Sequence, residues 1–400
     1  MLALSLPLYR QWAGLAAHAI LLLWFFDPGV RDRIRGLRRD RLSLAILAFI
    51  ALNLLSLLWS TDPAAGFSYV SKYRYLLLVP MIATSVAPAR GRLATSAFIA
   101  AAAISVTLSA AVALNLIRLG DAHPGNPSPT MAHIDYTVLL AVAALLALVR
   151  VLYGDGGRSR RLGWLAGFLL LAGGLAINIG RSGQLGFVAG LAVLLLYWSR
   201  GRTAAAAAAA AGLIAATLAL LALSPPVINR IGEGASDLRA AVVEHDYESN
   251  VGGRLAALTV AAAMAREDPL LGTGAGGNIP AFRHLLDTEF QELKPAIYWY
   301  RHLHNQYAQI ATELGLAGLA ALAWIFWELV RGPYRSRGVR ASALVIAAVY
   351  LASFVGDPFL HKQLPLLTFA LFAGLTAGAR LDERATPAAA PGSDPAPAAA

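Results

Sequence analysis

Histidine is sparse in this chain, eight in 400 residues, so a pair of them at the edge of an apolar run is informative. His302 and His304 flank Leu303. Asn305, Gln306, Gln309 and Glu313 follow, and the sequence then turns into A-L-A-W-I-F-W. An imidazole titrating near pH 6.5 can accept a proton from a sugar hydroxyl. Two histidines two positions apart on an incipient helix point to different faces. There is no H-E-x-x-H, so the spacing argues against a shared metal. Cysteine is absent, which removes thiolate and disulfide chemistry.

The cations with chemical potential lie elsewhere in the chain. Arg181 stands in I-N-I-G-R-S-G-Q-L between two apolar runs, where a guanidinium either snorkels to an interface or clamps phosphate oxygens with its planar donor fork. Arg254 opens a helix over 252–269, where a cation opposes the macrodipole; a bound anion nearby would reconcile the two. Asp357 and His361 share G-D-P-F-L-H-K-Q, and Lys72, Tyr73 and Arg74 form a trio suited to phosphate or to a membrane interface. L-L-G-T-G-A-G-G (270–277) contains a formal G-x-G-x-x-G. A dinucleotide fingerprint needs a strand before it inside a βαβ unit; here a helix precedes and Asn278–Pro280 follows, so the run reads instead as a tight loop whose exposed backbone approaches a ligand or the membrane face.

The elements that must position these groups are apolar. The chain is 58% hydrophobic and 14% charged, where soluble domains average about 25% charged. Runs long enough to cross a bilayer fall near 11–26, 42–59, 73–88, 93–117, 133–150, 162–180, 183–199, 203–223, 304–330, 341–355 and 364–379. The expected fold is an all-α polytopic membrane protein of about 11–12 transmembrane helices with a large helical outer loop. The formal charge of +10 fits cytoplasmic loops better than nucleic acid, which is not expected as a partner. Twenty of the 33 basic residues fall in alternate loops: 31–41, 88–92, 150–161, 199–202, 331–340 and the end holding Arg380 and Arg384. Arg10, Lys72, Arg74, Arg118, Arg181 and Lys362 occupy the other loops. The positive-inside bias puts the first set in the cytoplasm, so His304, Arg181, Arg254 and Asp357 all fall outside.

Four regions follow: N-terminal transmembrane helices over 1–223, an outer loop domain over 224–303, C-terminal transmembrane helices over 304–380, and a disordered, low-complexity tail over 381–400. The outer segment carries ten acidic and seven basic residues, with one helix over 252–269 stopping at Pro269 and a second around 280–292. An odd span count leaves the N-terminus outside, so residues 1–10 belong to a shortened or re-entrant element, or a further helix precedes them. No signal peptide is expected, because no basic region precedes the first apolar run.

His304-Asn305, nine residues and then Gly315-x-x-Gly318 resembles the H-[NSQ]-x9-G-x-x-G pattern of bacterial O-antigen ligases. Arg181 to Leu185 resembles their R-x3-L motif, and G-R-L…E-D-P-L-L-G-T-G-A-G-G resembles the segment preceding the histidine motif in the wider ligase/polymerase superfamily. In motif terms the likeness covers about 160–320. It implies a GT-C-like membrane enzyme, usually of twelve spans, in the bacterial inner membrane with its active site facing the periplasm. The implied reaction moves a glycan from undecaprenyl pyrophosphate to a sugar hydroxyl of lipid A–core. On this reading Arg181 and Arg254 stabilise the leaving diphosphate, and His304 takes the acceptor proton. His302, Asn305, Asp357, Lys72 and Arg74 support them. Transfer is by direct displacement with inversion, with no metal and no cofactor. Rival readings are an O-antigen polymerase, a protein O-oligosaccharyltransferase or a lipid-linked glycan transporter; the last would place ionisable groups deep in its spans.

Overall fold

The computed structural model describes residues 1–38, 40–223 and 225–385, and among these the regular elements are helical. The chain is an all-α polytopic membrane protein. Among the described residues six helices are long and apolar enough to cross a membrane: Pro88–Ala113, His133–Tyr153, Arg158–Ile177, Arg181–Ser199, Gln306–Arg331 and Gln363–Glu383. That is fewer than the eleven runs read from hydropathy, and the reason is local. Helices Arg10–Phe25 and Arg41–Ser56 have 16 residues each. The run at 73–88 is divided between a 3-10 helix, Ser71–Leu77, and a short α-helix, Leu78–Ser85. Arg10–Phe25 turns through 101° into Val30–Leu37, whose arginines cannot continue into lipid. Before it, Leu2–Ser5 is a separate short helix with Leu2 and Ala3 buried. The expected tail begins inside a helix running to Ala385; residues 386–400 lie outside those described.

Helix ends follow their side chains. Asp40, Asp62, Ser249, Asn305 and Ser336 each accept a hydrogen bond from a first-turn amide, satisfying donors that a helix cannot satisfy internally. Pro63 and Pro88 begin helices, where a missing N–H costs nothing.

His133–Tyr153 is the central post. Residues 136–149 are all buried, as expected of a helix apolar on every face. Arg158–Ile177, Arg181–Ser199 and Arg337–Ser353 pack around it. Arg181–Ser199 comes close because Gly183 has no side chain: a Cβ there would lie 2.5 Å from the Thr137 carbonyl oxygen. This close approach sets the height of Arg181, the first residue of that helix. At the same end, Ser353 Oγ donates to Ser182 O at 2.9 Å and Ser128 Oγ to Asn178 Oδ1 at 2.9 Å. The arginine-rich loops meet at the other end, where Arg150 donates to Arg92 O and buried Arg380 bridges Asp40 and Glu328 O. The helix ends therefore sort into the two sets that loop charge defines.

The segment over 250–303 has its own apolar cluster. Asn250–Glu267 buries Ala256, Ala257, Val260, Ala261 and Met264 at helical spacing against Phe282, Leu285 and Leu286 of Asn278–Thr288.

Candidate functional site

The Gln306–Arg331 helix is broken at Gly315, which adopts φ 59° and ψ −153°, a conformation open essentially to glycine alone. The glycine-rich loop fills the break. Thr273 N donates to Thr312 O at 2.9 Å and Gly274 N to Glu313 O at 2.9 Å, while Leu316 N and Ala317 N donate to Pro269 O and Leu270 O. On its far side the loop is held by Ser56 Oγ, which accepts from Ala275 N, and by Ser60 Oγ, which donates to Ala275 O. The expectation that this loop offers its backbone to a ligand or membrane face is corrected: it repairs a broken helix. Irregular backbone inside a bundle is tolerated where protein satisfies it.

That dock fixes the helix whose first turn carries the polar cluster. Asn305 caps the helix, accepting from Ala308 N at 3.0 Å and donating to Val355 O at 3.2 Å. Gln306 N donates to Phe354 O, and its side-chain oxygen accepts from Leu360 N at 2.8 Å. Gln309 accepts from Leu303 N at 3.0 Å and donates to Glu313 at 2.6 Å. The amides therefore staple the 353–361 turn to the approach segment 302–305, and this brings Asp357 to the histidines.

The histidine geometry departs from the sequence argument. His304 has φ 50°, a left-handed conformation uncommon for a residue with a Cβ. The segment is not yet helical, so the two rings lie together, with centroids 4.2 Å apart at 62°. Tyr300 packs edge-on to His304 at 4.8 Å. His302 Nδ1 is 3.9 Å from Asp357 Oδ1, and Asp357 Oδ2 accepts from Lys362 Nζ at 2.8 Å. Lys362 also reaches Asp135 at 3.3 Å.

Burial, then the neighbouring His302, pushes the His304 pKa down to about 4, with Arg254 and Lys362 adding to the effect and Asp357 opposing it. Burial also lowers His302, against the pull of Asp357. Burial draws Lys362 down, but Asp135 and Asp357 together hold it above its usual range. Both imidazoles are therefore neutral at neutral pH. His304 Nδ1 and Asp357 Oδ1 are buried without a hydrogen-bond partner among the described residues.

His302, His304 and Asp357 each offer a ligand atom within 4.8 Å of the others. The argument that spacing keeps the histidines from sharing a ligand thus fails. Charge weighs against a divalent ion, because Lys362 already holds one Asp357 oxygen and Arg254 adds to the positive field.

A cleft of about 480 Å³ opens beside His304, lined by Arg254, Tyr300, Trp299 and Asn250 together with the carboxylates of Glu233, Asp237 and Glu248. Arg181 reaches it through Glu233, at 3.7 Å. Of the residues singled out from sequence, His302, His304, Asn305 and Asp357 form one group, and Arg254 and Arg181 join through the cleft. Lys72 and Arg74 line a different cavity, with Lys362 and His361. His361 is buried, its Nε2 2.5 Å from Tyr73 Oη, and burial pushes its pKa down to about 3. Sequence reasoning missed Lys362, Glu233, Tyr300 and Asp135. Only Asp135 carried a signal, as an acid in the first turn of an apolar span.

Fold and site thus define a multi-pass membrane protein with a polar, arginine-bearing cleft where the segment over 233–300 meets His304. Residues 166–323 match the family described as O-antigen ligase, and this match supports a relation of that segment to the O-antigen ligase superfamily. The matched stretch contains Arg181, Arg254, His302, His304, Gly315 and the 270–277 loop that mends its helix. No curated protein matches the chain.

Proposed function

We propose that the protein is an O-antigen ligase of the bacterial inner membrane, transferring a glycan from undecaprenyl pyrophosphate to a sugar hydroxyl of lipid A–core at the periplasmic face. The observation that carries this reading is that Arg254 and His304, fifty residues apart, line one cleft, with Arg181 tied to its wall through Glu233.

The reaction is a displacement at the anomeric carbon. The acceptor oxygen forms its bond to that carbon as the bond to the diphosphate oxygen breaks. The electron pair leaves with the diphosphate, where Arg254 and Arg181 stabilise the developing charge. The acceptor proton passes to His304. A neutral imidazole can take it, and the arriving diphosphate offsets the cations that depress its basicity. Attack opposite the leaving group inverts the anomeric centre. This sequence uses no metal and draws its energy from the activated donor.

Purified enzyme in proteoliposomes with lipid-linked glycan and lipid A–core tests the reading. His304→Ala should lower turnover by about 10²–10⁴-fold, and Arg254→Ala or Arg181→Ala should raise the donor KM. EDTA should have no effect. Full activity in His304→Ala would remove the base, and loss with EDTA that zinc restores would make His302, His304 and Asp357 a metal site. Donor units joined on the carrier without use of the acceptor would identify a polymerase instead.

A further inference from the structure

The cavity that takes Lys72 and Arg74 is separate from the Arg254 cleft and shares no lining residue with it. It has a volume of about 610 Å³ and is lined by Arg10, Lys72, Arg74, Lys362 and Asp135 among others. The two spaces are joined through one chain of contacts. Lys362, in the cavity wall, holds Asp357, and Asp357 faces His302, whose ring touches that of His304.

Its charge is unbalanced. Asp135 is taken by Lys362. Among the described residues no carboxylate pairs with Arg10, Lys72 or Arg74. Arg10 donates to the neutral amide of Gln363 at 3.0 Å. Arg74 spends its donors on Ser71 O, Tyr75 Oη and His18 Nε2, and Lys72 lies over the Tyr69 ring at 4.9 Å. Three cations thus face one space with their charge uncancelled, which costs free energy unless an anion arrives. Burial, with Arg10 beside it, holds the Lys72 ammonium below its usual range, while Glu313 opposes the shift.

A displacement with inversion needs the leaving diphosphate and the incoming hydroxyl on opposite sides of the reacting carbon, with the base beside the hydroxyl. The Arg181–Arg254 side serves the first. We propose that the Arg10–Lys72–Arg74–Lys362 cavity is the acceptor subsite and binds phosphate groups carried on the acceptor saccharide. The inference rests on the transfer reaction proposed above and adds how the acceptor is selected. The volume suits one or two sugar units with their phosphates, since small-molecule sites run to roughly 300–1,000 Å³. It is far larger than a bare ion requires.

The double variant Arg10→Gln/Lys72→Gln tests it, leaving Lys362 and its Asp357 contact in place. Initial rates are measured in phosphatidylcholine vesicles against lipid A–core with its phosphates, and against the same acceptor after phosphatase treatment. The acceptor KM should rise tenfold or more with the phosphorylated acceptor, while the donor KM stays within twofold. With the dephosphorylated acceptor, wild type should already show the raised KM and the variant should add nothing. An increase in donor KM instead would overturn the assignment by giving the cavity to the diphosphate. A deficit that persists with the neutral acceptor would show a structural role only. A deficit that appears only when phosphatidylglycerol is added to the vesicles would show that the cavity holds a lipid headgroup. Direct binding of phosphorylated acceptor to His304→Ala, with and without the two glutamines, reads the cavity without turnover. Binding lost with the glutamines while no transfer is found in wild type would retain the anion site and remove the ligase reading.

Discussion

The His133–Tyr153 helix and the stretch from His302 to Glu313 are both buried, for opposite reasons. Along the first, residues 136–149 are almost all aliphatic, and burial follows from removing apolar surface from water. Along the second, Gln306, Gln309 and Glu313 are fully buried polar side chains, held by bonds to Leu303, Leu360 and one another. An apolar core loses packing gradually as side chains are trimmed. A buried polar group left without its partner costs about 1–3 kcal/mol at once. The bundle is therefore specified by close packing, and the mouth of the cleft bond by bond.

Three measurements would break or sharpen that contrast. The largest effect belongs to Gly315→Ala. Its left-handed backbone would be strained by about 1–3 kcal/mol, and the new methyl would meet the Leu270 backbone, adding a further cost on the order of 1–3 kcal/mol. Thermal unfolding in detergent should show a large loss of stability together with loss of transfer. A variant as stable as wild type would mean that the helix is not broken there.

The pH profile comes next. With the His304 pKa lowered to about 4, the neutral, proton-accepting form dominates above that value. Transfer measured as kcat/KM should be flat from about pH 5 to 7. It should fall roughly tenfold per unit below pH 4 as the ring protonates. In stability the sign is the same: the unfolded histidine protonates near pH 6.5, so falling pH favours the unfolded chain from there down to about 4. An activity midpoint near 6.5 would show an imidazole open to water, and the cleft would be no more specified than a surface loop.

The smallest effect is at Asn305→Ala, which removes a helix cap worth about 1 kcal/mol and the bond to Val355 O. A modest drop in melting temperature is expected, with recovery in Asn305→Asp, which keeps the cap acceptor. Equal loss in both variants would place the weight on the Val355 contact.

The sequence by itself determined the all-α membrane class, because hydropathy acts on each helix independently of its neighbours. It also marked Arg254 as a cation whose position helix stability does not explain, and His304 and Arg181 as polar groups at the edges of apolar runs. Only the tertiary structure decided that Gly315 breaks a helix for the 270–277 loop to mend, that His302 and His304 meet ring to ring, and that Lys362 joins Asp357 to Asp135. Each of these depends on backbone dihedrals and on partners from distant parts of the chain. Periodicity reports which face of a regular helix a residue occupies, and it is silent wherever the helix stops.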